Sequence, residues 1–175
     1  MPYTTNVEIE GVVPLLLDNR TSVMGVKDID KLPIEQQIPK RLYLDAKGKT
    51  ILPSANVKRA IRDAAKNMKI DRFKNYENLV RAAVLVSPES IPLPCKYVVD
   101  TRIAKLKNGG ARPVSRPRFD KWGLVFQVLV GDDRLNPDTL QEMLIAAGHY
   151  GGLGTYRPEF GRFEVTKFKV VNGAK

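Results

Sequence analysis

Val7 and Ile9 alternate with Glu8 and Glu10 before the chain becomes almost continuously apolar through Leu17. Alternation predicts a strand with one wet face and an apolar run predicts a strand covered on both, so residues 7–17 are expected as the first strand. Residues 18–39 mix Asn, Asp, Gly, Pro and Gln without a period and read as a long loop, a kind of segment that is usually functional inside a compact domain. Residues 42–44 and 50–52 read as a small hairpin turning at Gly48. Pro53 and Ser54 then open a helix, with Ser54 as the expected N-cap. Val57, Ala60, Ile61, Ala64, Ala65 and Met68 recur at helical spacing and make one apolar stripe.

Residues 79–87 are rich in β-branched side chains and stop at Pro88, which predicts a second strand. Residues 97–106 and 111–119 flank Asn108, Gly109 and Gly110, a turn whose glycines tolerate positive φ, and they read as the two arms of an extended hairpin. Pro113 and Pro117 carry no N–H, so the return arm is expected on an edge or as a flexible finger. Residues 122–130 are the most apolar strand. A second helix starts at Pro137 or Asp138, carries Leu140, Met143, Leu144 and Ala147 inward and ends at Gly148, and residues 160–171 close the chain as a strand. Trp122, Phe126, Phe163 and Phe168 are expected in the core. The order is βαββαβ, the ferredoxin-like or RRM-like α+β arrangement, with a loop and small hairpin inserted at 18–50 and a long hairpin at 96–119.

Composition narrows the function more than the fold. The chain has 175 residues, 43% hydrophobic and 27% charged, which fits a single globular domain spanning 1–175. No apolar run approaches the roughly 20 residues of a membrane helix, and the first residues lack a basic then apolar leader, so a cytoplasmic protein with no membrane partner is expected. One cysteine, Cys95, and one histidine, His149, leave no Cys/His zinc set and no disulfide, and no cofactor is expected.

The net charge of +10 is concentrated: residues 58–74 carry +5, residues 96–118 carry +6, and the remainder is close to neutral. Localised positive charge is the footprint of a surface that neutralises phosphates. Lys58, Arg59, Arg62, Lys66 and Lys69 fall on the outer face of the first helix. Arg102, Lys105, Lys107, Arg112, Arg116 and Arg118 lie on the hairpin, where they are expected to be exposed and able to wrap a strand.

Between the second helix and the last strand stands a glycine-rich segment, Gly148, His149, Tyr150, Gly151, Gly152, Leu153, Gly154, Thr155, Tyr156 and Arg157. It has no Lys-Ser/Thr pair and so is not a P-loop for ATP. Its glycines would let backbone N–H groups approach a phosphate, with Tyr156 stacking on a base and Arg157 pairing with a phosphate. An ordinary RNA-recognition domain is disfavoured, because the first strand carries no stacking aromatic.

Gly151, Gly152, Leu153, Gly154, Thr155, Tyr156 and Arg157, followed by Gly161, Arg162 and Phe163, resemble the C-terminal glycine-rich loop of the RAMP superfamily, the repeat-associated proteins of CRISPR systems. Residues 43–62 are similar to that family's strand-turn-strand leading into a helix, matched by Leu52, Pro53, Ser54, Lys58 and Arg62, with Arg59 where the family usually has glycine. The long basic hairpin resembles the thumb of the backbone subunits that polymerise along guide RNA, and a chain this short also resembles phage relatives of those subunits.

The resemblance implies a protein that binds single-stranded nucleic acid, RNA in preference to DNA, and assembles as a homo-oligomer or filament along the strand or with other CRISPR-type subunits. Arg and Lys of the hairpin and first helix would contact phosphates while Gly151, Gly152 and Gly154 fix the register. Two other classes stay open. One is a metal-independent endoribonuclease acting through His149, or through Asp18, Asp28 or Asp30 of the long loop; the other is a phage protein-interaction or CRISPR-inhibitor protein, which would leave the clustering of charge unexplained.

Overall fold

The computed structural model describes residues 2–19, 29–66, 68, 75–105 and 109–171. Its strands are β1 (Tyr3–Gly11), β2 (Leu15–Leu16), β3 (Ile51–Pro53), β4 (Val84–Ser87), β5 (Ser90–Pro92), β6 (Val98–Lys105), β7 (Ala111–Phe119), β8 (Gly123–Val130) and β9 (Phe163–Val171). The α-helices are α1 (Ile34–Arg41), α2 (Ser54–Ala65), α3 (Tyr76–Ala83) and α4 (Pro137–Ala146), with a short 3-10 turn at Ile29–Lys31 and a π turn at Ala147–Gly151. β4, β8, β1 and β9 form one antiparallel sheet in that order. This is the ferredoxin-like arrangement that the element order predicts.

The sheet is covered on one face. Val7 and Ile9 of β1, Leu124, Phe126 and Val128 of β8 and Val84 of β4 alternate inward against Val57, Ala60 and Ile61 of α2 and Leu140, Met143 and Leu144 of α4. Truncating one of the larger of these, Phe126, to Ala would cost about 3–5 kcal/mol, from lost burial plus the cavity left behind. Val125, Gln127 and Leu129 of β8 point to the other face and are exposed. Trp122 and Phe163 are buried with their rings edge to face, as expected of core aromatics, and Phe168 is partly buried.

Several elements differ from the sequence pattern for identifiable reasons. The apolar run 7–17 is two strands in two sheets. Regular pairing stops at Gly11, where a Cβ would lie 2.1 Å from the Trp122 indole; Val12 N–H then turns to the Arg162 carbonyl, Pro14 donates nothing, and Leu15–Leu16 pair with β7. The long loop contains α1, whose buried positions are Gln37, Ile38 and Arg41, so it shows no apolar stripe. Residues 79–83 are helical, capped by the Asn75 side chain and buried at Tyr76, Leu79 and Val80; only Val84–Ser87 extends the sheet.

The small hairpin is reduced to a single bridge, Leu44 to Thr50, with Gly48 at φ +73°. Ser54 is the first residue of α2 and makes no side-chain cap; its N–H donates to the Glu89 carbonyl. α4 runs past Gly148 through the π turn and is closed by Gly152. β7 is the middle strand of β2-β7-β6 at Arg118 and Phe119, which corrects the edge placement at that end, while at Pro113 it pairs with β6 alone. Pro117 is tolerated because its carbonyl, the only backbone hydrogen-bonding group it has, accepts from Leu17 N–H.

Candidate nucleic-acid interface

The glycine-rich loop is laced onto the segment between β1 and β2. Thr155 N–H donates to the Leu16 carbonyl and Gly161 N–H to the Pro14 carbonyl, at 2.9 and 2.8 Å. Gly154 sits at φ +74° with its α-carbon so close that a Cβ would lie 2.4 Å from the Leu16 carbonyl oxygen, so glycine is required there on both conformational and steric grounds. Tyr156 follows at φ +55°, a region that bulky side chains seldom enter. The loop is thereby held against the N-terminal half of α2, opening a cleft of about 570 Å3 bordered by Asn56 and Arg59 of α2, Asp18, and Gly154, Tyr156 and Arg157.

The α2 side of the cleft has more cations than carboxylates. Asp63 is approached by Arg62 at 3.0 Å, Lys66 at 3.4 Å, Arg59 at 3.8 Å and Arg157 at 3.9 Å. Burial pushes the Asp63 carboxyl up, but hydrogen bonds and charge from Arg62 and Lys66 outweigh it and hold the group below the usual aspartate range. Glu77 takes Arg81 at 2.8 Å and stands 3.8–3.9 Å from Lys66 and Arg62. Arg157 is partly buried, donates a long bond of 3.4 Å to the Gly152 carbonyl, and is pushed below the ordinary guanidinium pKa by burial and, after it, by the charge of Arg59. An anion between Arg59 and Arg157 would relieve that repulsion.

The hairpin side is organised differently and corrects the expectation of exposed, unengaged arginines. Arg116 is 9% exposed, donates from Nε to Asp18 at 3.0 Å, and lies 5.0 Å over the Tyr156 ring. Arg112 pairs with Asp30 at 2.5 Å. Arg41 of α1, fully buried, bridges the two carboxylates, donating to both Asp18 and Asp30. Arg102 donates to Asp100 at 2.6 Å and stacks 4.5 Å over Phe160 and 5.9 Å from Tyr156. Arg118 is shared between Asp100 and Asp120.

Tyr156 is therefore the joint at which both basic regions meet. Arg59, Gly154, Tyr156 and Arg157 line the cleft, Arg102 and Arg116 reach it through the Tyr156 ring, and Arg62 is one carboxylate away. Lys58 lies apart, donating to the Arg81 carbonyl, while Lys105 is exposed toward the hairpin end. Gly151 belongs to the π turn and Gly152 closes it, so neither lines the cleft. Lys107, Asp28 and Lys69 lie outside the described residues. Sequence reasoning missed Asn56 and the structural role of Arg41; a polar residue one turn into a basic helix and an arginine in an aperiodic loop carry no signal of their own.

Asp18 pairs with Arg41 and Arg116, and Asp30 with Arg41 and Arg112, so both loop carboxylates are engaged. His149 is exposed on the π turn, its ring 6.2 Å from that of Tyr150. Among the described residues no three His, Cys, Asp or Glu side chains stand together as a metal site, and no described helix is long and apolar enough to cross a membrane.

No protein-family model and no curated protein matches the sequence. The fold is similar to that of a chain in a cryo-EM structure of the Type III-B Cmr-beta bound to cognate target RNA, with a TM-score of 0.63 and 14% identity. The match covers 99% of this chain and 62% of the other. At that identity the likeness is one of fold.

Proposed function

We propose that this protein binds single-stranded RNA in the cleft between α2 and the glycine-rich loop, and that copies line up along the strand as subunits of an effector complex do. The observation that carries the reading is the Arg59–Arg157 pair: two guanidiniums bordering one polar cleft, Arg157 partly buried, that stand 3.8 and 3.9 Å from the single carboxylate of Asp63. A phosphate fits between them, and a base stacks on Tyr156, whose ring is already held by Arg102 and Arg116. Arg62 and Lys66 continue the track along α2, where a phosphate would compete with Asp63 for them.

The preference for RNA over DNA, and for CRISPR-type partners, draws on the fold likeness to a chain of a complex bound to target RNA. The far half of the hairpin, exposed at Ile103, Lys105, Ala111 and Pro113, would lie against the next copy. A head-to-tail contact of that kind builds open filaments unless its rotation closes a ring. The role is binding; the strand is held and not cut, since the loop carboxylates Asp18 and Asp30 are engaged by arginines.

The test is titration of a labelled single-stranded RNA over a range of salt, beside the same sequence as DNA and as duplex. Log affinity should fall linearly with log salt at about 0.7 per phosphate neutralised, the RNA should stay intact over hours with or without magnesium, and species size should rise with strand length. Salt-independent tight binding, or cleavage lost on changing His149, would overturn the reading.

A further inference from the structure

Tyr150 is 82% exposed, the most exposed large hydrophobic side chain among the described residues. A single apolar residue at the surface needs no explanation, but this one stands on an unusual support. The π turn Ala147–Gly151 is closed by a bond from Gly152 N–H to the Ala147 carbonyl at 2.7 Å, and such wide turns are rare and frequently stand at functional sites. The turn is rigidly mounted, because Gly148 is pressed on β9 so tightly that a Cβ would lie 2.1 Å from the Phe163 carbonyl oxygen. The His149 ring, tilted 48° to that of Tyr150, stands 6.2 Å away.

The turn also has a fixed relation to the cleft. Gly152, two residues after Tyr150, presents its carbonyl to Arg157, and two residues of chain span at most about 7 Å. A solvent-facing aromatic thus stands on the turn whose next residues, Gly151 and Gly152, lead to the carbonyl that accepts from Arg157 of the cleft. We propose that Tyr150, with His149 beside it, is a second nucleobase-stacking platform for the nucleotide next to the one held at Tyr156. The inference rests on the cleft being the nucleic-acid site. Stacking on an aromatic face is tolerant of base identity, so the ligand class is a single strand with accessible bases, and the chemistry is independent of the phosphate contacts.

The test compares the unaltered protein, Tyr150→Ala, Tyr150→Phe and the double change Arg59→Ala with Arg157→Ala. The probes are a labelled 12-nucleotide oligoadenylate and a fully abasic ribose-phosphate strand of the same length. Tyr150→Ala should bind oligoadenylate about tenfold more weakly, bind the abasic strand unchanged and keep the salt slope, while Tyr150→Phe keeps wild-type affinity. The double arginine change should lose affinity and slope on both strands. Equal binding of oligoadenylate by Tyr150→Ala and wild type would overturn the platform and leave the cleft standing, as would an altered sedimentation coefficient with unaltered affinity. Failure of the wild type to bind either strand would overturn the reading of the cleft itself.

Discussion

The stretch that begins on α2, residues 58–74, and the hairpin stretch, residues 96–118, carry excesses of +5 and +6 in sequence, yet the fold uses their described cations in different ways. On α2 the cations are at the surface and share too few carboxylates: Arg59 is 63% exposed and Lys66 45%. On the hairpin, Arg116 is packed away and joined through Asp18 and Arg41 to Asp30 and Arg112. The difference teaches that local charge density identifies a basic region but not whether its charge is available. That is decided by carboxylates elsewhere, in this case Asp18, which lies 98 positions before Arg116.

The largest expected effect is on the buried side. Arg41→Ala leaves the carboxylates of Asp18 and Asp30 buried with one partner fewer each, and breaking a buried pair in this way costs about 3–5 kcal/mol. Urea denaturation should show a lower midpoint with an unchanged slope. The triple change Arg112→Ala, Arg116→Ala and Arg118→Ala should destabilise on the same scale, contrary to what an unengaged finger would do. If that triple variant melts with the wild type, the two regions do not differ and the contrast fails.

The complementary change is on α2. Arg59→Ala with Arg157→Ala removes two cations that repel each other and reach Asp63 only at 3.8 and 3.9 Å, so stability should fall by no more than about 1 kcal/mol. Affinity for single-stranded RNA should nevertheless fall about tenfold or more at low salt, and the log-log salt slope should drop by about 0.7 for each phosphate no longer neutralised. A variant that unfolds would place Arg157 with the structural arginines.

Salt sharpens the same contrast with a smaller effect. Raising ionic strength toward 1 M shrinks the screening length to about 3 Å and should abolish RNA binding, because exposed charges are screened. The denaturation midpoint should hardly move, since the Asp18–Arg41–Asp30 network is shielded from solvent.

The smallest expected effect is of acid. Hydrogen bonding from Arg102, opposed by burial and reinforced by Arg118, holds the Asp100 carboxyl below its ordinary value. A carboxyl whose folded pKa lies below the unfolded value of about 3.9 contributes stability that is complete above that value and is lost as pH falls through the folded pKa. Stability should therefore be flat from pH 7 to about pH 5 in this respect and decline below about pH 4. The amide signals of β6 and β7, followed by NMR through that range, would show it; a decline centred near pH 6 would contradict the assignment.

The core of the fold was legible because it obeys simple periods. β1 and β8 alternate, and the α2 stripe at Val57, Ala60, Ile61 and Ala65 is buried as its spacing requires. α1 was not legible, since its inward face is Gln37, Ile38 and Arg41 and only the distant aspartates make that burial possible. α3 was hidden by residues 79–83, which suit a strand by composition but bury Tyr76, Leu79 and Val80 at helical spacing. For the candidate site, Tyr156 and Arg157 could be picked out from the glycine-rich loop, whereas their meeting with Arg59, Arg102 and Arg116 depends on tertiary packing that no local pattern encodes.

RNA bound in the cleft, as proposed, would leave untouched the open face of the sheet, where Val125, Gln127 and Lys167 lie. Photocrosslinking of a 4-thiouridine single-stranded RNA, followed by mass spectrometry of the linked peptides, separates the two surfaces directly. Crosslinks should concentrate in residues 148–162, with a second group in residues 54–66, and should be lost in Arg59→Ala with Arg157→Ala. Crosslinks confined to β8 and β9 on the open face would contradict the account.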